Sequence, residues 1–363
     1  MIPPVRLLVA AALSSALLML PAFTGDANAT ATSRVYAVTL AKSAADMKKV
    51  AEFWKPDRLK KADSYTPATP GSQATPTSTA ASSTVTGLSQ IVTVKRPATA
   101  PSVEPALPQK STVARTTGKV FFRFGDKEYW CSASSVAAKN RGVVATAGHC
   151  AFDPRQTKAA ENWIFVPNPG PNGETPDGIY VGASISMHED WPGKGDYDYD
   201  YAFVTVHRGF KWVEKGGQLV MQDVGRLQDS VGGQGLALNR KTGNRIAAFG
   251  YPVGPQPDGT RPFDGRSLLT CSGSTSHTVA PGRDLQYGVL LRPCDFTSGA
   301  SGGPWLIDYQ PVQRLGDLNG INSLTWNMDA KDRYDAVSSP YFNAATGDVY
   351  RHAATRPTPE NVT

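Results

Sequence analysis

Three short stretches bring together residue types that can do chemistry: "TAGHC" (146–150) offers His149, "DYDYDYAFVTV" (196–206) offers carboxylates, and "GASGGPW" (299–305) offers Ser301. A serine hydroxyl is a poor nucleophile until a neutral imidazole takes its proton and a carboxylate holds that imidazole in the right tautomer. The chain supplies all three groups, in the order His, Asp, Ser. The glycines around Ser301 let backbone approach a substrate closely and turn N–H groups inward. The amides of Gly299 and Ser301 are therefore the expected oxyanion donors, each worth about 10²–10³ in turnover. Asp196, Asp198 and Asp200 alternate and would share one face of an extended segment, so spacing alone leaves Asp198 and Asp200 both open as the acid. It also leaves calcium as a rival use for the run, although alternate ligands on an extended segment close poorly around one ion.

Taken together, "TAGHC", the Asp200-Tyr201-Ala202 step into an apolar strand and "GASGGPW" resemble the chymotrypsin-fold (trypsin-like) serine peptidases over the part of the chain from Thr117 onward. "AAFGYPV" (247–253) and "CDFTSGASGGPWLI" (294–307) are most similar to the secreted bacterial branch that includes the glutamyl endopeptidases, and "VAEFWKPDRLKKA" (50–62) resembles the leader of actinobacterial exported peptidases. The resemblance implies an all-β fold of two packed six-stranded antiparallel barrels with the site between them. It implies His149, Asp200 and Ser301 as the triad, with the run "AFVTV" favouring Asp200 over Asp198. It further implies an acyl-enzyme intermediate, Ser323 as a partner for substrate backbone, and no cofactor. Asp295 lies where trypsin-like enzymes carry the carboxylate that selects Arg or Lys, but Cys294 adjoins it, so the register differs. The stretch "NGINSLTWN" (319–327) lacks the histidine that glutamyl endopeptidases use, which disfavours acid selectivity. Ala300 stands where trypsin-like zymogens place an aspartate for a newly freed N-terminal amine, so that activation switch is absent.

Other readings compete for the same residues. "GASGG" also fits the nucleophile elbow of α/β-hydrolases, which would need Asp317, Asp335 or Asp348 with His352 and would leave "TAGHC" without a role. A zinc site at His149 lacks a C-x-x-C pair or a second nearby histidine. His188 and His207 read as surface or strand-end residues, and His277 has no supporting motif. The rival of another class is a catalytically inactive barrel that binds peptides or other ligands in the same cleft; its signature, a missing triad member, is not found.

The elements that must position these groups read as short β-rich runs separated by Gly, Pro, Asn and Asp, among them residues 120–124, 142–148, 178–187, 201–207, 287–293 and 320–326. We expect a peptidase domain over 117–355 and a C-terminal tail at 356–363. Before it, residues 1–29 read as a signal peptide: Arg6, an apolar run, then Ala27-Asn28-Ala29. Residues 30–63 read as a pro-segment with a short helix that starts at Ser43 and ends by Pro56. Residues 64–116, rich in Pro, Thr, Ser and Ala, read as a linker, and the leader as a whole is expected to be largely disordered. Export makes the four cysteines two disulfides. Three pairings are open, and proximity favours Cys131 with Cys150 and Cys271 with Cys294.

Residues before Thr117 carry 13 Lys+Arg against 6 Asp+Glu, and those from Thr117 onward 24 against 25, so the positive charge belongs to the leader. A near-neutral body has no electrostatic footprint for nucleic acid. The expected partner is a protein or peptide substrate met outside the cell by a monomer without stable membrane insertion.

Overall fold

The computed structural model describes residues 34–67, 103–329 and 331–358. The expected signal peptide, most of the linker and residues 359–363 lie outside the described residues.

Six antiparallel strands close a first barrel. Thr117–Phe124 pairs with Lys127–Val136, followed in turn by Val143–Thr146, Ala202–Val206, Tyr180–His188 and Glu161–Pro167, which returns to Thr117–Phe124 through Val120 opposite Phe165. Side chains alternate across each strand. Val120, Phe122 and Phe124 therefore fill the main core, while Phe121 points outward into a second apolar cluster.

The second sheet differs from the expected six-stranded barrel. It has eight strands in the order Gly235–Leu236, Leu315–Ile321, Pro304–Gln310, Arg245–Gly250, Leu269–Ala280, Leu285–Leu291, Ala336–Pro340 and Leu324–Trp326. The two short strands at its ends account for the higher number. A hairpin of Gly209–Lys215 and Gln218–Gly225 forms a two-stranded sheet of its own, tied to the first barrel by an antiparallel bridge between Phe210 and Ile179.

The expectation of a largely disordered leader fails for its described part. Val35–Thr39 adds to the first barrel, pairing antiparallel with Tyr180–His188 from Val35 opposite His188 to Thr39 opposite Ser184. The helix Ala44–Phe53 is capped by Ser43, whose hydroxyl accepts from the Asp46 N–H while the Asp46 carboxylate accepts from the Ser43 N–H. Met47, Ala51 and Trp54 then fall at helical spacing on one face and pack with Phe121, Ile164, Val181 and Phe210 on the barrel wall. The Trp54 indole N–H donates to the Asn162 carbonyl. Composition missed this because the surface that the leader covers is assembled only by the barrel. The end of the linker is tied down as well, with Val103 bridging Leu236, Ala106 bridging Gly233, and Ala114 buried.

A C-terminal helix, Ala344–Thr355, was not expected. Asn343 caps it, and it lies against Tyr180–His188 and Ala202–Val206, with Thr205 Oγ1 donating to the Ala353 carbonyl at 2.9 Å and the Tyr350 hydroxyl to the Ala137 carbonyl at 2.6 Å. Covered by this helix and by the leader strand, Tyr180–His188 is buried at every residue.

Candidate active site

Barrel register brings the first two groups together. Strand Val143–Thr146 pairs with Ala202–Val206 through Thr146 opposite Ala202, so the residues just after Thr146 meet those just before Ala202. His149 sits in a single tight turn, Gly148–Cys150, anchored to the neighbouring strand by the Cys131–Cys150 disulfide. Asp200 follows the turn Tyr197–Tyr199 and is fully buried. Its carboxylate accepts from the His149 backbone N–H at 2.8 Å, from His149 Nδ1 at 2.9 Å and from Ser323 Oγ at 2.6 Å. With Nδ1 donating to Asp200, the free lone pair lies on Nε2, which is buried and has no hydrogen-bond partner among the described residues.

The alternating aspartates do not converge on one point. Asp196 caps the turn by accepting from the Asp198 N–H, and Asp198 reaches across to accept from the amides of Gln286 and Tyr287 on the second sheet. Asp200 alone of the three meets His149. Burial, reinforced by the Asp198, Asp284 and Asp190 carboxylates, pushes Asp196 up to about 6, and burial also raises Asp198.

The loop 297–303 is held from both sides. From the first barrel, the Ser132 N–H donates to the Ser301 carbonyl at 2.8 Å and Ser132 Oγ to the Gly299 carbonyl at 2.8 Å. From the second sheet, Asn322 is bonded on both sides of Ser301: its Nδ2 donates to the Ala300 carbonyl at 2.9 Å, its carbonyl accepts from the Gly302 N–H at 2.7 Å, and its N–H donates to the Gly303 carbonyl at 2.9 Å. Trp305 Nε1 donates to Asn322 Oδ1 at 2.7 Å and fixes the amide's orientation. Gly299 has φ +96° and Gly302 φ +79°, a region that disfavours side chains, and a Cβ at Gly302 would strike Thr146 and Ser132. That contact sets Ser301 beside the strand end that leads into His149. Among the described residues the N–H groups of Gly299 and Ser301 donate no hydrogen bond. Asn322 and Ser132 carry no motif, and their roles arise only from tertiary contact.

The other candidates are placed as follows. Asp295 is exposed, and its carbonyl accepts from Gln256 Nε2. Cys271 pairs with Cys294, so the observed disulfides are the pairs expected from proximity. Ligand atoms of Cys131, His149 and Cys150 lie within 4.8 Å of one another, but both sulfurs are consumed in the disulfide and His149 Nδ1 is held by Asp200, so this set does not fit a metal. His352 Nδ1 meets Ser186 Oγ at 2.9 Å on the barrel's outer face, which leaves the α/β-hydrolase arrangement without its histidine. His207 Nε2 meets the Ala41 carbonyl of the leader at 3.0 Å, and His188 stacks on Tyr199. A cleft of about 790 Å³ opens in front of His149, bordered by Phe124, Tyr129, Trp191 and Arg283.

The chain is 30% identical to the protease Anisep from Arthrobacter nicotinovorans, over 69% of this chain and all of that one, with a TM-score of 0.53. It belongs to the chymotrypsin-fold serine peptidases. The thermostable serine protease AL20 from an extremophilic microorganism is 29% identical over 68% of this chain and 99% of its own, with a TM-score of 0.54. A Glu endopeptidase in complex with MPD is 16% identical over 70% of this chain and 98% of its own, with a TM-score of 0.47. No family model and no curated protein matches this serine peptidase. Among its described residues, no helix is long and apolar enough to cross a membrane.

Proposed function

We propose that this chain is an exported, monomeric serine endopeptidase working through an acyl-enzyme intermediate. The observation that carries the proposal is the Asp200–His149 pair, which leaves Nε2 buried and without a hydrogen-bond partner among the described residues, together with the undonated N–H groups of Gly299 and Ser301. Ser301 Oγ attacks the scissile carbonyl while His149 Nε2 takes its proton, and Asp200 holds the ring and stabilises the imidazolium that forms. The Gly299 and Ser301 N–H groups receive the developing oxyanion. Collapse of the tetrahedral adduct breaks the C–N bond, and His149 returns its proton to the leaving amine. Water, deprotonated by the same nitrogen, then hydrolyses the ester and restores the hydroxyl. His149 Nε2 carries every proton transfer of the cycle, while the amides only hold the oxyanion.

A fluorophosphonate labelling experiment on processed, folded protein tests this reading. One adduct at Ser301, absent in Ser301→Ala, supports the peptidase, and failure of the wild type to react favours a ligand-binding barrel. A peptide library then reads the residue before each cut. Arg or Lys there supports Asp295 as its partner, and small or aromatic residues reject that role.

A further inference from the structure

The leader does more than cover the barrel wall. Past its second short helix, Pro56–Leu59, the chain turns into the cleft, and Asp63 and Ser64 pair in parallel with Tyr129 and Trp130. The Tyr65 N–H donates to the Trp130 carbonyl at 3.0 Å. This is the strand that, two residues on, donates from Ser132 to Ser301 and, through Cys131, is bonded to the neighbour of His149. Ser64 Oγ lies 3.4 Å from Ser298 Oγ, in the loop that carries Gly299 and Ser301. The leader therefore touches both halves of the site.

Tyr65 is 8% exposed, and its ring sits in an aromatic cup with centroids 4.9 Å from Tyr129, 5.3 Å from Phe124 and 5.5 Å from Phe122. On its remaining side it lies 6.1 Å from the His149 imidazole at an interplanar angle of 31°. Aromatic pairs at such separations add favourable contact beyond buried area. The result is a side-chain pocket directly beside the imidazole, filled by the chain's own tyrosine.

We propose that this cup is a substrate subsite for an aromatic side chain and that Tyr65 occupies it as an intramolecular plug, obstructing the side of the cleft next to the His149 imidazole until segment 63–67 is displaced. Strand pairing at Tyr129 and Trp130 supplies affinity, and the cup supplies selectivity, as expected when an extended peptide docks on a strand edge. The plug also gives a route to latency in a chain whose Ala300 removes the N-terminal-amine switch. The proposal rests on the peptidase reading given above.

The test uses the uncleaved chain and the rate of fluorophosphonate labelling at Ser301. When opening is fast relative to labelling, that rate follows the open population. Tyr65→Ala should label about tenfold faster than wild type or more, and Tyr65→Phe at the wild-type rate. Equal rates for wild type and Tyr65→Ala would overturn the plug while leaving the peptidase intact. Absence of labelling in every variant, and in processed wild type, would remove the nucleophile and the proposal with it. Should Tyr65→Ala fail to fold by its melting curve, a Ser64→Cys, Ser298→Cys chain carries the test. Its oxidised form should label at least about tenfold more slowly than its reduced form, and equal rates would overturn the proposal.

Discussion

At the scale of single residues, Asp200 is held by three donors and in turn holds the imidazole. Asp200→Asn keeps the shape but offers an amide where Nδ1 needs an acceptor, so kcat should fall by about 10⁴ with little change in KM, as steady-state kinetics on a peptide substrate would show. Asn322 is a positioning residue. Asn322→Ala frees the Ala300 carbonyl and the Trp305 indole, and a displacement of about 1 Å at the loop costs about 10² in rate. We expect kcat to drop with KM nearly constant; a matching rise in KM would instead show a disturbed substrate pocket. Asp196 gives a pH-dependent prediction. Its folded-state value, raised from 3.8 to about 6, makes its contribution to stability complete below about pH 4 and lost as pH rises through 6. Asp196→Asn, which keeps the turn-capping oxygen, should therefore raise the Tm by about 1–3 °C at pH 7.5 and leave it unchanged near pH 4; the half-exposed site keeps the gain small. A gain of equal size at both pH values would reject burial of the charge as the cause.

Secondary elements convert local pattern into position. Pairing of Thr146 with Ala202 carries His149 to Asp200, so the strand "AFVTV" matters for its register as much as for its apolar face. The C-terminal helix illustrates the opposite case. With Gly347 and alanines in its sequence it has little intrinsic drive, and packing on the barrel makes it. Its cap should still be measurable: Asn343→Ala removes an acceptor for two backbone N–H groups and should cost about 1 kcal/mol, seen as a Tm lower by about 2–4 °C. The strands and the leader helix were legible because their signals are local: Ser43 opens a run of helix formers that Pro56 closes, and short β-rich runs between turn residues write strands. The C-terminal helix was not legible, because its partners are strands some 150 residues earlier in the chain.

At the scale of the whole molecule, the described leader segments, 34–67 and 103–116, pack with the body as one unit. Met47, Ala51 and Trp54 are fully buried against the first barrel, the leader strand extends its sheet, and His207 meets the leader backbone. Fully burying side chains of this kind contributes about 1.5–3 kcal/mol each, and docking of a segment does not require covalent continuity. A chain severed at a cleavage site inserted within 68–102 should therefore keep its leader fragment, the two parts eluting together in size-exclusion chromatography under native conditions and separating in denaturant. Loss of the fragment without denaturant would show that the packed face is too weak to hold it.

Residue order and type determined that the chain offers a histidine, an aspartate and a serine of the kinds that acyl transfer uses, that glycines flank the serine, and that the body is built of strands, because each of these signals lies within a short stretch of sequence. Only the tertiary structure decided which of three alternating aspartates meets the imidazole, that Asn322 and Ser132 hold the loop, and that Tyr65 lies beside His149. Each of those outcomes depends on strand register or on contacts between segments far apart in the chain, and neither is encoded in any local pattern of residues.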